Sequence, residues 1–280
     1  MKIETAIKQA NIILKKNQIK SSLIDCEILI SKAIDKSREF VILNLKNKIR
    51  DHEYINFKRL INERKRGKPI AYLTGKKYFW KYEFDVNESV LIPRPDTEIL
   101  IDQVLKIYKN KSKINFLDIG VGSGSILLSI LKEKCEFIGT GIDVSNGSLN
   151  ICKQNACKFN VNKRIKLYKS DIDNFNLGKY DLIVSNPPYI KKLDLKKLNK
   201  EVRDFEPTLA LDGGLDGLSE IRKIIYKAPD LIKKNGRLII EIAFNQKEEV
   251  KKILLDNGFF VEMTIKDLAK NNRCIISKKI

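Results

Sequence analysis

From residue 114 onward, short runs rich in β-branched residues alternate with stretches of helical period, and nothing else in the chain restricts its fold as much. "INFLDIG" reads as a strand, "SILLSILKE" as a helix, "FIGTGIDVS" as a strand and "NGSLNICKQNACKFN" as a helix. The strands "RIKLYKS" and "YDLIVSNPPY", the helix "GLSEIRKIIYKAPDLIKK", the strand "GRLIIEIAF" and the helix "QKEEVKKILLDN" continue the pattern, and "FFVEMTI" with "RCIISKK" closes it as a hairpin. Parallel strands need a crossover between them, usually a helix. The order therefore predicts an α/β architecture: a doubly wound, mostly parallel sheet with helices on both faces and an antiparallel edge.

Residues 1–75 follow a different period. Apolar residues recur at helical spacing at Ile7, Ala10, Ile13 and Leu14, at Leu23, Cys26, Ile28, Leu29 and Ile30, and at Tyr54, Phe57, Leu60 and Ile61. A small bundle of four or five helices is expected. "YFWKYEFDVNESVLI" mixes aromatic and polar residues and predicts a β-hairpin linker over 76–95 with its turn at Asn87–Ser89. "PRPDTE" then supplies helix-start signals, with Asp96 as N-cap, ahead of "ILIDQVLKIY". The expected organisation is a helical domain over 1–75, the linker, and an α/β domain over 96–280.

Composition narrows the function. At 280 residues and 43% hydrophobic the chain has the material for a sizeable core, and no apolar stretch approaches the roughly 18–20 residues that span a bilayer. "MKIETAIKQANIILKK" reads as an amphipathic helix and not as a signal peptide, so a cytoplasmic location is the default. Five cysteines (Cys26, Cys135, Cys152, Cys157, Cys274), an odd set with no C-x-x-C pair, read as reduced thiols. The one histidine, His52, argues against a Ser-His-Asp triad or a His-rich metal site, and no metal is expected. Lys and Arg number 54 against 35 Asp and Glu, a formal charge of +19. Two readings stay open: general lysine enrichment, since Lys, Ile and Asn are abundant throughout, or a face that meets a polyanion. The densest cluster, "KRLINERKRGK", places Lys58, Arg59, Arg64, Lys65, Arg66 and Lys68 before a turn at Gly67–Pro69, where a partner that carries or sits on RNA could be steered.

In doubly wound sheets the ligand sits beyond the carboxyl ends of the strands, where strand order reverses. "LDIGVGSGS" lies at that place. Gly120, Gly122 and Gly124, with Val121 and Ser123 between them, let the backbone turn tightly and approach a ligand, and the next helix offers free N–H groups. Such a loop suits NAD, FAD or S-adenosylmethionine. Ser125 stands where a dinucleotide fingerprint has Gly or Ala, and Asp118 precedes the first glycine by two residues, as in the D-x-G-x-G-x-G loop of methyltransferases. Asp143, ending the second strand, can accept ribose hydroxyls in either cofactor class. Asp171 follows the third strand, where adenine-contacting groups often lie; a solvated loop acid fits it equally well.

The fourth strand ends in "SNPPYI". Two prolines remove two backbone donors and leave carbonyl acceptors. Amide and arylamine nitrogens are poor nucleophiles because their lone pairs are delocalised, so an enzyme that methylates one must fix its orientation. The side-chain oxygen of Asn186 and the carbonyl of Pro187 can each accept one N–H of a planar NH2, while Tyr189 can stack on the group and exclude water.

On these residues the chain resembles the bacterial protein-(glutamine-N5) methyltransferases of the HemK/PrmC family. The resemblance runs from about residue 60 to the end through "GKPIAYLTGKKYFWKYEFDVNESVLIPRPDTE", "LDIGVGSGSILLSI", "GIDVSNGSLNICKQNA", "YDLIVSNPPYI", "FEPTLALDGGLDGL" and "DLAKNNR". It implies a class I S-adenosylmethionine-dependent methyltransferase, Rossmann-like, with a mostly parallel seven-stranded sheet after a small all-helical domain that helps bind substrate. The implied reaction is methylation of the glutamine of the Gly-Gly-Gln motif in class I peptide chain release factors, by a monomer. Gly120 to Gly124 and Asp143 would contact S-adenosyl-L-methionine, with Asn186 close by, and Asn186, Pro187, Pro188 and Tyr189 would form the glutamine pocket. Ile172 replaces the tryptophan that some members place beside adenine, and Asp96 stands where the family more often has glutamate. Arg94, Glu98 and Glu206 carry no assigned role beyond organising loops. Methylation of an exocyclic amine of DNA or rRNA would use the same pocket, and a non-catalytic RNA-associated factor could keep the same fold.

Overall fold

The protein is described by a computed structural model covering residues 1–280. The chain runs through α1 (Ile3–Lys16), α2 (Ser22–Ala33), α3 (Arg38–Leu43), α4 (Asp51–Lys65), α5 (Ile70–Thr74), β1 (Lys76–Phe79), β2 (Tyr82–Asp85), α6 (Glu98–Ile107), β3 (Asn115–Ile119), α7 (Ser125–Glu133) and β4 (Ile138–Asp143). It continues with α8 (Asn146–Lys158), β5 (Ile165–Lys169), β6 (Tyr180–Ser185), α9 (Lys200–Phe205), α10 (Ser219–Leu231), β7 (Ile232–Glu241), α11 (Lys247–Asp256), β8 (Phe259–Lys266) and β9 (Asn272–Lys279). No helix is long and apolar enough to cross a membrane. Two compact units result: Met1–Lys76 with Asn199–Phe205, and Lys77–Leu198 with Glu206–Ile280.

In the first unit, α1 turns Ile3, Ala6, Ile7, Ala10 and Leu14 inward, while Glu4 in its first turn and Lys15 and Lys16 in its last match the helix dipole. Leu29, Ile30, Phe57 and Leu60 complete the same core. Glu53 starts α4 by accepting from the Arg50 backbone N–H at 2.9 Å. Two positions read as core from their spacing face solvent instead: Ile13 is 39% exposed and Leu23 is 48% exposed. The stripe is narrower than the period implies, because a helix packed on one side buries only about three or four residues per two turns.

Arg64 departs further from its expected place in the basic cluster. It is buried, donating from Nε to Asp25 Oδ2 at 2.7 Å, from Nη2 to Glu201 Oε1 at 2.7 Å and from Nη1 to the Lys68 carbonyl at 3.0 Å. A fork of fixed donors that meets two carboxylates and a carbonyl satisfies a cation that burial would otherwise penalise. Its partners come from α2 and α9, so one-dimensional charge density could not separate it from exposed neighbours such as Arg59 and Lys65.

In the second unit the sheet order is β5-β4-β3-β6-β7-β9-β8, parallel except for β9, which runs antiparallel to both neighbours. Strand order reverses at β3, which has β4 on one side and β6 on the other. Leu117, Ile183, Leu238 and Ile240 point into a core that α10 closes with Ile221, Ile224 and Ile225. The β1–β2 hairpin turns at Trp80–Lys81 and not at Asn87–Ser89, which forms a separate turn with Val90 N–H donating to the Asn87 carbonyl at 3.1 Å. The register is set by Phe79 and Phe84, buried and edge to face at 6.0 Å. Trp80 accepts a φ of 55° because tertiary bonds hold it: its N–H donates to Glu98 Oε1 at 2.7 Å and its indole to Glu133 Oε1 at 2.9 Å. Asp96 is not an N-cap either. A 3₁₀ turn over Pro95–Thr97 leads into α6 with no side-chain cap, and Asp96 faces Arg273 at 3.4 Å.

Candidate functional site

Register decides what meets at the strand ends. Ile119 of β3 pairs with Ile142 of β4 and with Ser185 of β6, so the residues that follow, Gly120, Asp143 and Asn186, leave the sheet side by side. Ser185 Oγ donates to the Ile119 carbonyl at 2.8 Å and clamps the two central strands at this edge. Asp171 and Ile172 follow β5 at the same edge, where the Ser170 N–H donates to the Asp143 carbonyl at 3.1 Å. The strand ends thus collect the predicted residues from four separate segments.

The glycine loop is held from behind and open in front. Gly120 and Val121 donate to the Ile142 carbonyl at 2.9 and 3.0 Å, and Gly122 donates to Asp143 Oδ2 at 3.0 Å. Gly120 and Gly122 have φ of 75° and 54°; a Cβ on Gly120 would meet no heavy atom within 4 Å, and one on Gly122 only the Gly120 carbonyl oxygen at 3.9 Å. A left-handed backbone with a bare face is what close approach of a ligand needs. Val121 and Ser123 are buried. Asp143 takes the Ser145 N–H on Oδ1 at 2.9 Å; burial raises its carboxyl above the ordinary value while these backbone donors oppose the rise. Each oxygen keeps a lone pair for a hydroxyl. The fit to a nucleoside cofactor is good: a left-handed glycine loop with space beside it, and an anchored carboxylate at the end of the neighbouring strand.

The two adenine-side positions are less alike than their adjacency suggests. Asp171 is exposed and spends its carboxylate on its own turn, accepting from the Asn174 backbone at 2.8 Å and from the Asn174 side chain at 2.9 and 3.0 Å, which lowers its carboxyl. Ile172 is buried in the core with Ile119 and Ile142.

At the end of β6, Asn186 is half-buried and Pro187 buried. Asn186 donates from Nδ2 to Thr97 Oγ1 at 3.0 Å, and neither its Oδ1 nor the Pro187 carbonyl accepts a hydrogen bond within the chain. Two acceptors are thereby left for an incoming NH2. The loop backbone is stiffened from outside: Ile190 donates to the Leu211 carbonyl at 3.1 Å, Gly213 donates to the Ile190 carbonyl at 2.8 Å, and Gln246 Nε2 bridges the Tyr189 and Gly217 carbonyls at 3.2 and 2.9 Å. Gly213 and Gly217 are required by proximity, since a Cβ on either would stand 2.9 Å from the Pro188 carbonyl oxygen or 2.6 Å from that of Tyr189.

Tyr189 donates its hydroxyl to Glu241 Oε1 at 3.3 Å, and burial with the Glu241 charge pushes the phenol's pKa up. Glu241 ends β7 almost fully buried; burial raises its carboxyl to about 7, opposed by Thr97, Arg273 and Tyr189. Thr97, Glu241 and Arg273 carry no role in the sequence reading. The available signals were modest: a threonine inside "RPDTE", a lone acid ending an apolar strand, and the arginine of "DLAKNNR". Asn155 was missed as well, although it joins the hairpin to the glycine loop through Asp85 and the Ser123 carbonyl. Arg94 and Glu206 do organise a loop: Arg94 Nη2 donates to Glu206 Oε1 at 2.5 Å, while Ile92 N–H donates to the other oxygen at 3.2 Å.

Comparison with known proteins matches residues 5–75 to the PrmC N-terminal domain and residues 95–215 to the methyltransferase small domain. The release factor glutamine methyltransferase of Clostridium botulinum is 37% identical over 272 residues, which is 95% of each chain. The bifunctional methyltransferase of Rickettsia conorii is 34% identical over 303 residues, covering 99% of this chain and 58% of that longer protein. A methyltransferase from Pyrococcus furiosus shares the fold with a TM-score of 0.52 at 19% identity, over 70% of this chain and 88% of that one.

Proposed function

The chain belongs to the release factor glutamine methyltransferases, and from that premise we propose that it methylates N5 of the glutamine in the Gly-Gly-Gln motif of class I peptide chain release factors, with S-adenosyl-L-methionine as donor. The observation that carries this reading is the lateral pairing of Ile119 with Ser185, which sets two unsatisfied acceptors, Asn186 Oδ1 and the Pro187 carbonyl, beside the open glycine loop. S-adenosylmethionine, when bound, supplies an electrophilic methyl group on a sulfonium. The loop Gly120–Gly124 and Asp143 would hold it. Asn186 and Pro187 accept the two N–H groups of the glutamine amide, aim its nitrogen along the loop and draw density toward it, so that an N–CH3 bond would form as the donor's S–CH3 bond breaks to leave a thioether, the surplus amide proton passing to solvent as product leaves. Tyr189, with its hydroxyl tied to Glu241, covers the planar amide and excludes water. The helical unit is assigned to recognition of the release factor.

The test is transfer of label from S-adenosylmethionine to purified release factor, with a Gly-Gly-Ala variant, DNA and rRNA as parallel substrates. Label on the native factor alone is expected, and Asn186→Ala should lower transfer by about 10²-fold or more while cofactor binding persists. Label on nucleic acid with the release factor blank would refute the proposal.

A further inference from the structure

Building on the methyl-transfer reading, we propose that Thr97 and Glu241 are positioning residues that fix which end of the Asn186 amide faces the substrate. The two ends of an asparagine amide are nearly the same size and opposite in hydrogen-bonding sense, so packing alone does not choose between them. For Asn186 to accept from a substrate NH2, Oδ1 must face outward and Nδ2 inward. A flipped amide would present a donor to a donor and orient nothing.

The inward partner of Nδ2 is Thr97 Oγ1, at 3.0 Å. A hydroxyl accepts or donates as its neighbours demand, so Thr97 transmits a preference and does not create one. Close to Thr97 is the carboxyl of Glu241, 1% exposed, whose Oε1 accepts from Tyr189 and whose Oε2 has no hydrogen-bond partner. The Thr97 hydroxyl is among the groups that stabilise that carboxylate's charge. An ionised carboxylate has only acceptors. In its ionised form Glu241 favours a Thr97 hydroxyl proton turned toward its unpartnered Oε2, which leaves the Thr97 lone pairs to accept from Asn186 Nδ2. Arg273 compensates the buried charge; it is held by Asp267 at 3.0 Å and Asp96 at 3.4 Å. Because Tyr189 donates to the same carboxylate, one acid at the end of β7 sets both the amide that orients the substrate and the ring that covers it.

The test compares Thr97→Val, Thr97→Ser and Glu241→Gln with the wild type. Valine keeps the shape of threonine without the hydroxyl, and glutamine keeps the shape of glutamate while able to donate back toward Thr97. Expected are losses of about 10- to 100-fold in kcat for Thr97→Val and Glu241→Gln, the scale of a misaligned reacting group. S-adenosylmethionine affinity by calorimetry should stay within about 3-fold, and Thr97→Ser should restore kcat to within about 3-fold, because it retains the hydroxyl. A second readout needs no turnover: in ¹⁵N-edited spectra the Asn186 side-chain amide should show one slowly exchanging proton in the wild type and Thr97→Ser, lost in Thr97→Val. The proposal is overturned if Thr97→Val turns over like the wild type, if Thr97→Ser is as impaired as Thr97→Val, or if cofactor affinity falls in step with kcat. Should the wild type itself transfer nothing to a release factor, the functional reading fails, and the amide spectra alone decide whether Thr97 orients Asn186.

Discussion

Replacing Asn155 by leucine would test whether the glycine loop is held by polar bonds or merely by packing. Asn155 is fully buried on α8. Its Oδ1 accepts from the Asp85 N–H at 2.8 Å, and its Nδ2 donates to the Asp85 carbonyl at 3.0 Å and to the Ser123 carbonyl at 2.9 Å. Leucine keeps the branching of asparagine and leaves no cavity; its two methyl groups are bulkier than the amide oxygen and nitrogen, so overpacking adds to the cost of the lost bonds. The Ser123 carbonyl has no water to turn to, and leaving such a group unsatisfied costs about 1–3 kcal/mol. The two Asp85 groups are only partly buried, and water can replace part of each bond, so roughly 0.5–1 kcal/mol apiece is appropriate. The total is about 2–5 kcal/mol, a large share of the roughly 5–15 kcal/mol that holds a folded domain. Urea unfolding followed by circular dichroism should show the loss as a lower midpoint, and calorimetry should show weaker S-adenosylmethionine binding because Ser123 belongs to the loop. Asn155→Asp should fare no better, since a carboxylate would face two carbonyls. A leucine variant within about 0.5 kcal/mol of wild type, the range of neutral surface changes, would refute the reasoning.

Gly122→Val should cost about 1–3 kcal/mol for its φ of 54° yet block cofactor binding, because its side chain occupies the open face of the loop. Gly124→Ala should instead act chiefly on stability: its Cβ would stand 2.7 Å from Leu128 Cδ1 and 2.8 Å from Cys152 Sγ, and a normal melting temperature would contradict that geometry. Arg64→Leu leaves Asp25 buried without its cation and should destabilise the helical unit by about 3–5 kcal/mol, read as faster hydrogen exchange in α2 and α4, whereas Arg59→Ala should leave exchange unchanged. Asp118 is buried with Oδ1 unpaired and Oδ2 accepting from Leu127 N–H at 3.1 Å; burial, with Asp143 adding and the Leu127 amide opposing, raises its carboxyl to about 8. Between the ordinary value of 3.8 and about 8 the native state holds a proton that the unfolded chain releases, so native stability falls as pH rises through that window. Asp118→Asn should therefore gain on the wild type from pH 5 to pH 8 in urea unfolding, and a pH-independent difference would exclude the assignment.

The fold class, the position of the glycine loop and the donor-poor strand end at Asn186–Pro188 were legible in the sequence because each rests on local rules. Strand and helix periods are written in consecutive residues, a crossover order implies parallel strands, and proline removes donors wherever it stands. The same locality explains the misplaced hairpin turn. Asn87–Ser89 has turn chemistry, but Phe79 packing on Phe84 and the Glu98 and Glu133 carboxylates waiting for Trp80 outweigh it.

What the sequence by itself determined is the order of strands and helices and where the glycine loop and the two prolines fall between them; only tertiary structure decided which way the side chains there face. Arg64 reads as one cation among several until Asp25 and Glu201 arrive from distant helices. Asn186 reads as an acceptor, yet its orientation depends on Thr97 and Glu241, separated from it by about half a domain of chain. Hydrogen bonds are directional and short, and a buried polar group must find its partner from whichever strand or loop the fold brings within about 3 Å. Periodicity says which side of an element is buried, while the partner of a buried charge is settled only when the elements pack.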